Sequence, residues 1–134
     1  MSLIEACVSV AIISTVAMIA VPALNQSRDD YVLKSAAADV VTHMHTARIR
    51  AISRNVDCRF RVTSAVTYVI ECEDPAWETL ESVAVPQGFT IAANARPEFH
   101  RLGNVSPTAT VTIMNKAGRS RKVVVNNGGR IRME

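Results

Sequence analysis

The chain changes its hydrophobic rhythm twice. From Ala6 to Leu24 it reads ACVSVAIISTVAMIAVPAL, 19 residues without a formal charge. A helix of that length spans about 28 Å at about 1.5 Å per residue, close to the roughly 30 Å core of a bilayer. From residue 28 to 55 the apolar positions become a stripe. Leu33, Ala37, Val40, Met44, Ala47 and Ala51 recur at alternating steps of four and three, the signature of one buried face on an amphipathic helix. After residue 56 the period falls to two. Candidate strands are 57–63, 66–72, 79–85, 88–93, 108–115, 120–126 and 129–133. Turn signals separate them at Thr63-Ser64, Asp74-Pro75, Pro86-Gln87-Gly88, Gly103-Asn104 and Asn127-Gly128. The pattern predicts three parts: a hydrophobic transmembrane or filament-core helix over 1–27, its amphipathic continuation over 28–55, and an antiparallel β-domain over 56–134. The expected fold class is α+β, a long N-terminal helix packed on a small antiparallel β-sandwich.

The apolar run differs from an ordinary secretory signal, which has a basic start and a shorter core. No Lys or Arg precedes it, and Glu5 does. Within lipid a carboxylate costs on the order of 2.5–3.5 kcal/mol, although an acid near a helix N-terminus also favours the helix dipole. Pro22 removes a backbone hydrogen bond, which embedded helices tolerate because neighbouring groups replace it. Along the amphipathic part, Asp29, Asp30 and Asp39 come early and Arg48, Arg50 and Arg54 late, an order that suits the dipole. Asn55 is the expected stop.

Composition sharpens the ends of this picture. The 134 residues are 49% hydrophobic and carry a formal net charge of +3. Residues 116–134 hold six basic side chains and one acid, so the positive charge concentrates at the C-terminal end. Of the three cysteines, Cys7 reads as a small buried hydrophobe within its apolar run. Cys58 and Cys72 lie symmetrically about Ala65 and are a candidate disulfide across the first hairpin; oxidation there implies a compartment such as a periplasm.

Enzymatic chemistry finds little support. There is no phosphate-binding glycine loop, nucleophile elbow or metal-ligand spacing, and no cofactor is expected. His43 and His45 are two apart on a helix and point to different faces. His100 stands alone in the sequence. Glu71, Glu73 and Asp74 read as a solvated acidic turn. The candidate binding surface is basic. Arg130 and Arg132 alternate onto one face of the last strand, as Arg119 and Arg121 do on the strand before, and an Asn127-Gly128 hairpin sets the strands side by side. Lys116 and Lys122 adjoin them. Such a patch suits nucleic-acid phosphates, or equally a charged solvent face that discourages edge aggregation. No aromatic residue interleaves with it, which argues against base stacking.

Met-Ser-Leu-Ile-Glu followed by an apolar run resembles the start of a mature type IV pilin or pseudopilin. Glu5 falls on that family's glutamate and Pro22 on its helix-kinking proline. Met1 stands where the family usually has Phe, either as the mature residue or as a start added to a trimmed chain, and the absent basic leader fits a sequence written in mature form. The stretch His45–Val62 resembles the GspH/FimT-type minor pilins and pseudopilins, whose "ARxxAIxRN" helix end is matched by Ala47, Arg48, Ala51, Ile52, Arg54 and Asn55. Gly129-Arg130-Ile131-Arg132 is similar to that group's C-terminal "GRxR" element. Residues 73–115 carry no such match. The resemblance implies a structural subunit of a type IV pilus or pilus-like filament, stored in the inner membrane with a periplasmic domain. It implies a methylated residue 1, assembly through Met1, Glu5 and Pro22, and partners that are other copies or other pilins in a helical filament. Two further roles are implied for such chains. One is double-stranded DNA binding during natural transformation, through Arg130 and Arg132 with Arg119, Arg121, Lys116 and Lys122 as helpers. The other is a place as a minor pseudopilin in type II secretion.

Overall fold

The computed structural model describes residues 2–134. Met1, one of the residues expected to act in assembly, lies outside them. Among the described residues a single α-helix, α1, runs from Leu3 to Arg54, and nine strands follow. The chain divides between Tyr31 and Val32 into two units.

In the first unit the side chains of α1 are exposed from Leu3 to Asp29. Ser2 caps the helix, its Oγ accepting from the backbone N–H of Glu5 at 3.3 Å, half of a Ser-x-x-Glu capping box. The hydroxyls in the apolar run turn back onto their own helix. Ser9 donates to the Glu5 carbonyl at 2.8 Å, Ser14 to that of Val10 at 2.7 Å and Thr15 to that of Ile12 at 2.8 Å. No hydroxyl there needs water, so the segment presents an apolar surface all round. Pro22 lies inside the continuous helix.

In the second unit the α1 stripe meets two antiparallel sheets. Sheet A is ordered β3-β2-β1-β5-β6 and sheet B β4-β7-β8-β9. Their strands are β1 (Cys58–Ser64), β2 (Thr67–Glu73), β3 (Trp77–Ala84), β4 (Thr90–Ala93), β5 (Glu98–Phe99), β6 (Val105–Ser106), β7 (Ala109–Met114), β8 (Ser120–Val125) and β9 (Ile131–Met133). The core is continuous. Ala37, Val40, Met44, Ala47 and Ala51 of α1 are fully buried with Phe60, Phe99, Val111, Ile113, Val123 and Val125 from the sheets. Alanine at three of these helix positions lets the backbone approach the sheets closely.

Helix α1 stops where a left-handed residue ends it. Asn55 has φ 56°, and the Val56 N–H donates to the Ala51 carbonyl at 3.2 Å. That is the 6→1 bond of a Schellman cap, and Val56, the residue after the left-handed position, packs against the core. Two features depart from the sequence reading. The first hairpin turns at Ala65-Val66 rather than Thr63-Ser64, because a register shift between Val62 and Ser64 absorbs Thr63 into β1. The strands β5 and β6 were not expected. Each pairs over only two residues, too few to display a period of two.

Candidate functional site

Glu5 and Pro22, the described residues expected to act in assembly, sit on the first unit. Glu5 occupies the third helical position behind the Ser2 cap, close to the free N–H groups of the first turn. It is the only formal charge in residues 1–27. Leu3, Ile4, Val8 and Ile12 of the same stretch are all exposed. By length and composition this helix can cross a membrane, and none of its apolar stretch is buried by the rest of the chain.

The basic C-terminal end is a hairpin of β8 and β9, with Val124 opposite Arg132 and Val125 opposite Ile131. Opposed residues share a face, which sorts the cations. Arg132 lies on the outward face with Val124, and Lys122 is two residues from Val124 on the same face. Arg121 pairs with buried Ile113, so it takes the core-facing parity beyond the end of the core. Arg130 and Arg119 each precede a strand rather than lying within it. Lys116 is in the β7–β8 turn, its chain against Gly88. Arg132 has Glu134 at 3.9 Å. The six basic residues are thus exposed but divided between two faces and a turn.

The glycine ahead of Arg130 has a tighter role. Gly129 adopts φ +79°, and a β-carbon there would fall 2.3 Å from the Gly103 carbonyl oxygen and 2.7 Å from Arg48 Nε. Arg48, on α1, donates from Nε to that carbonyl at 3.0 Å and from Nη2 to Gly128 at 3.5 Å. The helix end, the β5–β6 loop and the β8–β9 turn therefore close on one guanidinium.

The family described as Type II transport protein GspH matches residues 36–129. The chain belongs to the GspH family. Solved structures agree in fold. The minor pseudopilin EpsH from the type 2 secretion system of Vibrio cholerae superposes with a TM-score of 0.67 at 14% identity, over 76% of this chain and 95% of that one. The type IV minor pilin FimU of Pseudomonas aeruginosa gives 0.64 at 18%, over 81% and 90%. No curated protein matches the sequence.

Other polar groups of this GspH-family domain serve the fold. Cys58 and Cys72 are directly opposed on β1 and β2 and joined by a disulfide; Cys7, expected to be buried, is a free, exposed thiol, because no other part of the chain covers that stretch of α1. Glu71 corrects the sequence reading of a solvated acidic turn. It is buried, clasped on the outer face of sheet A by Arg59 Nε at 2.5 Å and Arg61 Nη2 at 2.6 Å. Burial works to raise its pKa, but the hydrogen bonds and charges of Arg61 and Arg59 outweigh this and hold it below the usual carboxylate value. Arg59 also lies 4.1 Å over the Trp77 ring. Glu73 and Asp74 remain exposed. His43 joins the helix to sheet A: its Nδ1 is 2.9 Å from the Tyr68 hydroxyl and its Nε2 3.4 Å from Glu81. Burial pushes the Tyr68 phenol up, with the charges of Asp39 and Glu81 adding to the effect. His45 is exposed on the neighbouring face. The buried Glu71 pair and the Arg48 clasp escaped sequence reasoning, because each joins residues whose proximity depends on the finished sheets.

Proposed function

We infer that this chain is a subunit of a pilus-like filament. It is held in the inner membrane by the first part of α1, carries its β-domain in the periplasm, and assembles through that helix with other copies or with other pilins or pseudopilins. The observation that carries this reading is the Leu3–Leu24 stretch. It is apolar on every side, its hydroxyls are satisfied within the helix, and one carboxylate interrupts it near the start. A surface of that kind needs lipid or other helices around it.

Glu5 then has a defined task. In lipid it stays near the interface, where the first-turn N–H groups and the helix dipole offset part of its cost. In a filament core it pairs with the N-terminal amine of an adjacent subunit, so that neither charge is buried alone and the axial register is set. Pro22 frees a carbonyl and gives the helix a place to bend during packing. Membership in the GspH family and the likeness to a minor pseudopilin and a minor pilin support a minor rather than a bulk subunit. The family description favours type II secretion as the system. Fractionating cells that express the full chain tests this reading. The protein should extract with the inner membrane only in detergent, and appear substoichiometrically in sheared filaments with other pilin-like subunits. A freely soluble full-length chain would contradict it.

One observation favours a second reading, contact with duplex DNA: Lys122 and Arg132 share an exposed face, with Arg130 beside them. Binding through three phosphate contacts would be weak and strongly salt-dependent. Loss of affinity in Arg130→Ala/Arg132→Ala, at low salt, supports it. Undetectable or salt-insensitive binding removes it.

A further inference from the structure

Where α1 hands over to sheet A, Asp57 converges with two side chains some 40 residues further along the chain, Glu98 and His100. Asp57 immediately precedes β1, Glu98 is on β5 and His100 follows β5. Cys58 pairs with Phe99, and Arg59 with Glu98. Cys58 and Phe99 point into the core and are fully buried. Their neighbours Asp57, Glu98 and His100 therefore alternate onto the opposite, outer face. Nδ1 of His100 lies 3.5 Å from Asp57 Oδ2 and 3.9 Å from Glu98 Oε1, and one donor atom from each residue falls within 4.8 Å of the others. All three are half-buried.

We propose that Asp57, Glu98 and His100 form a binding site for one divalent transition-metal ion of the zinc class. Zinc bound by imidazole nitrogen and carboxylate oxygen at about 2.0–2.2 Å places neighbouring donors roughly 3.4 Å apart. The two distances to His100 are already near that figure, and rotation of the Glu98 side chain closes the remainder. One nitrogen and two oxygens suit zinc and its first-row neighbours, whereas calcium and magnesium prefer all-oxygen shells. Three protein ligands leave a fourth position for water or for an acceptor from another chain.

The donors are held from behind, as metal ligands require. The Arg101 N–H donates to Asp57 Oδ1 at 3.2 Å, with the Arg101 guanidinium at 3.9 Å. This engages that oxygen and leaves Oδ2 facing the imidazole. The Asp57 carbonyl accepts from Glu73, and the His100 N–H donates to Asn104, both at 2.9 Å. Arg59, the cation directly opposite Glu98, is drawn to Glu71 and Trp77 instead, so Glu98 keeps its carboxylate for the site. A bound ion would tie the end of the helix connection to the short strand β5, beside the loop that Arg48 clasps.

Zinc chloride titrated calorimetrically into the chelator-treated full chain in detergent micelles tests the site. A Cys7→Ser background removes the free thiol as a competing ligand. One equivalent should bind. His100→Ala and Glu98→Gln should each weaken binding by at least about tenfold while leaving the far-ultraviolet circular dichroism unchanged, and calcium should not compete. The proposal is overturned by no zinc binding at millimolar concentration. Undiminished binding in both variants, which places the ion at His43 or His45, overturns it too, as does calcium binding as tight as zinc.

Discussion

Arg48 Nε donates to the Gly103 carbonyl oxygen at 3.0 Å, linking α1 to a loop 55 residues further along the chain. Gly129 closes over the same pair, and its φ of +79° leaves no room for a β-carbon. Gly129→Ala combines left-handed strain of about 1–2 kcal/mol with a backbone clash. We expect it to destabilise the domain by about 2 kcal/mol or more in urea unfolding. Arg48→Ala should cost about 1.5–3 kcal/mol, as for a hydrogen bond from a charged donor. Arg48→Lys should recover only part of this, since an ammonium cannot reproduce the fork of the guanidinium. The glycine and the arginine that resemble family motifs thus have a structural duty independent of any ligand.

Glu71 sets an acid limit on stability. Its folded-state pKa is depressed below the model-compound value of 4.5, so the unfolded chain takes up its proton first. The stabilisation it provides is complete well above pH 4.5 and is lost as pH falls through the lower, folded value. Glu71→Gln should lower stability at neutral pH by about 1–3 kcal/mol and flatten the dependence below pH 5. A steep acid dependence that survives in the variant would show that other carboxylates govern it.

Tyr68 is fully buried, with its hydroxyl 2.9 Å from His43 Nδ1. Tyr68→Phe keeps the ring and removes one hydrogen bond, so a loss of about 1 kcal/mol is expected. The raised phenol pKa predicts that this tyrosine stays protonated at alkaline pH while the domain is folded, measured as ultraviolet absorbance. The linked stability is present below the ordinary tyrosine value of about 10 and is lost above it.

The disulfide closes a loop with a sequence separation of 14. Reduction, or Cys58→Ser with Cys72→Ser, should cost about 3 kcal/mol by the loop-entropy argument. Thermal unfolding with and without reductant measures it. An unchanged midpoint would mean that the pairing of β1 with β2 already restrains the reduced chain.

The elements that were legible in the sequence are those with a sustained period. All six residues of the α1 stripe, from Leu33 to Ala51, are buried. The longer strands fall near their expected places, since five or more alternating residues leave a pattern. The strands β5 and β6 do not, and with them the convergence of Asp57, Glu98 and His100 was illegible. His100 looked isolated because Asp57 is brought to it by a two-residue ladder, and its sequence neighbour Glu98 shares its face only once β5 forms. Glu71 was misread for a related reason: in sequence it belongs with Glu73 and Asp74, but in the sheet it lies opposite Arg59. The basic end was legible as composition, whereas its division between two faces depends on the register of β8 and β9.

The central claim is that the N-terminal helix assembles this chain into a filament through Glu5. The most direct test compares full-length Glu5→Ala and Glu5→Gln with the parent chain in cells that make the other filament subunits. The quantity to measure is the fraction of each recovered in sheared filaments and in the inner membrane. The account predicts that both variants accumulate in the membrane with a folded β-domain and are depleted from filaments by at least tenfold, the equivalent of about 1.4 kcal/mol. Incorporation of Glu5→Ala at the parental level would contradict it.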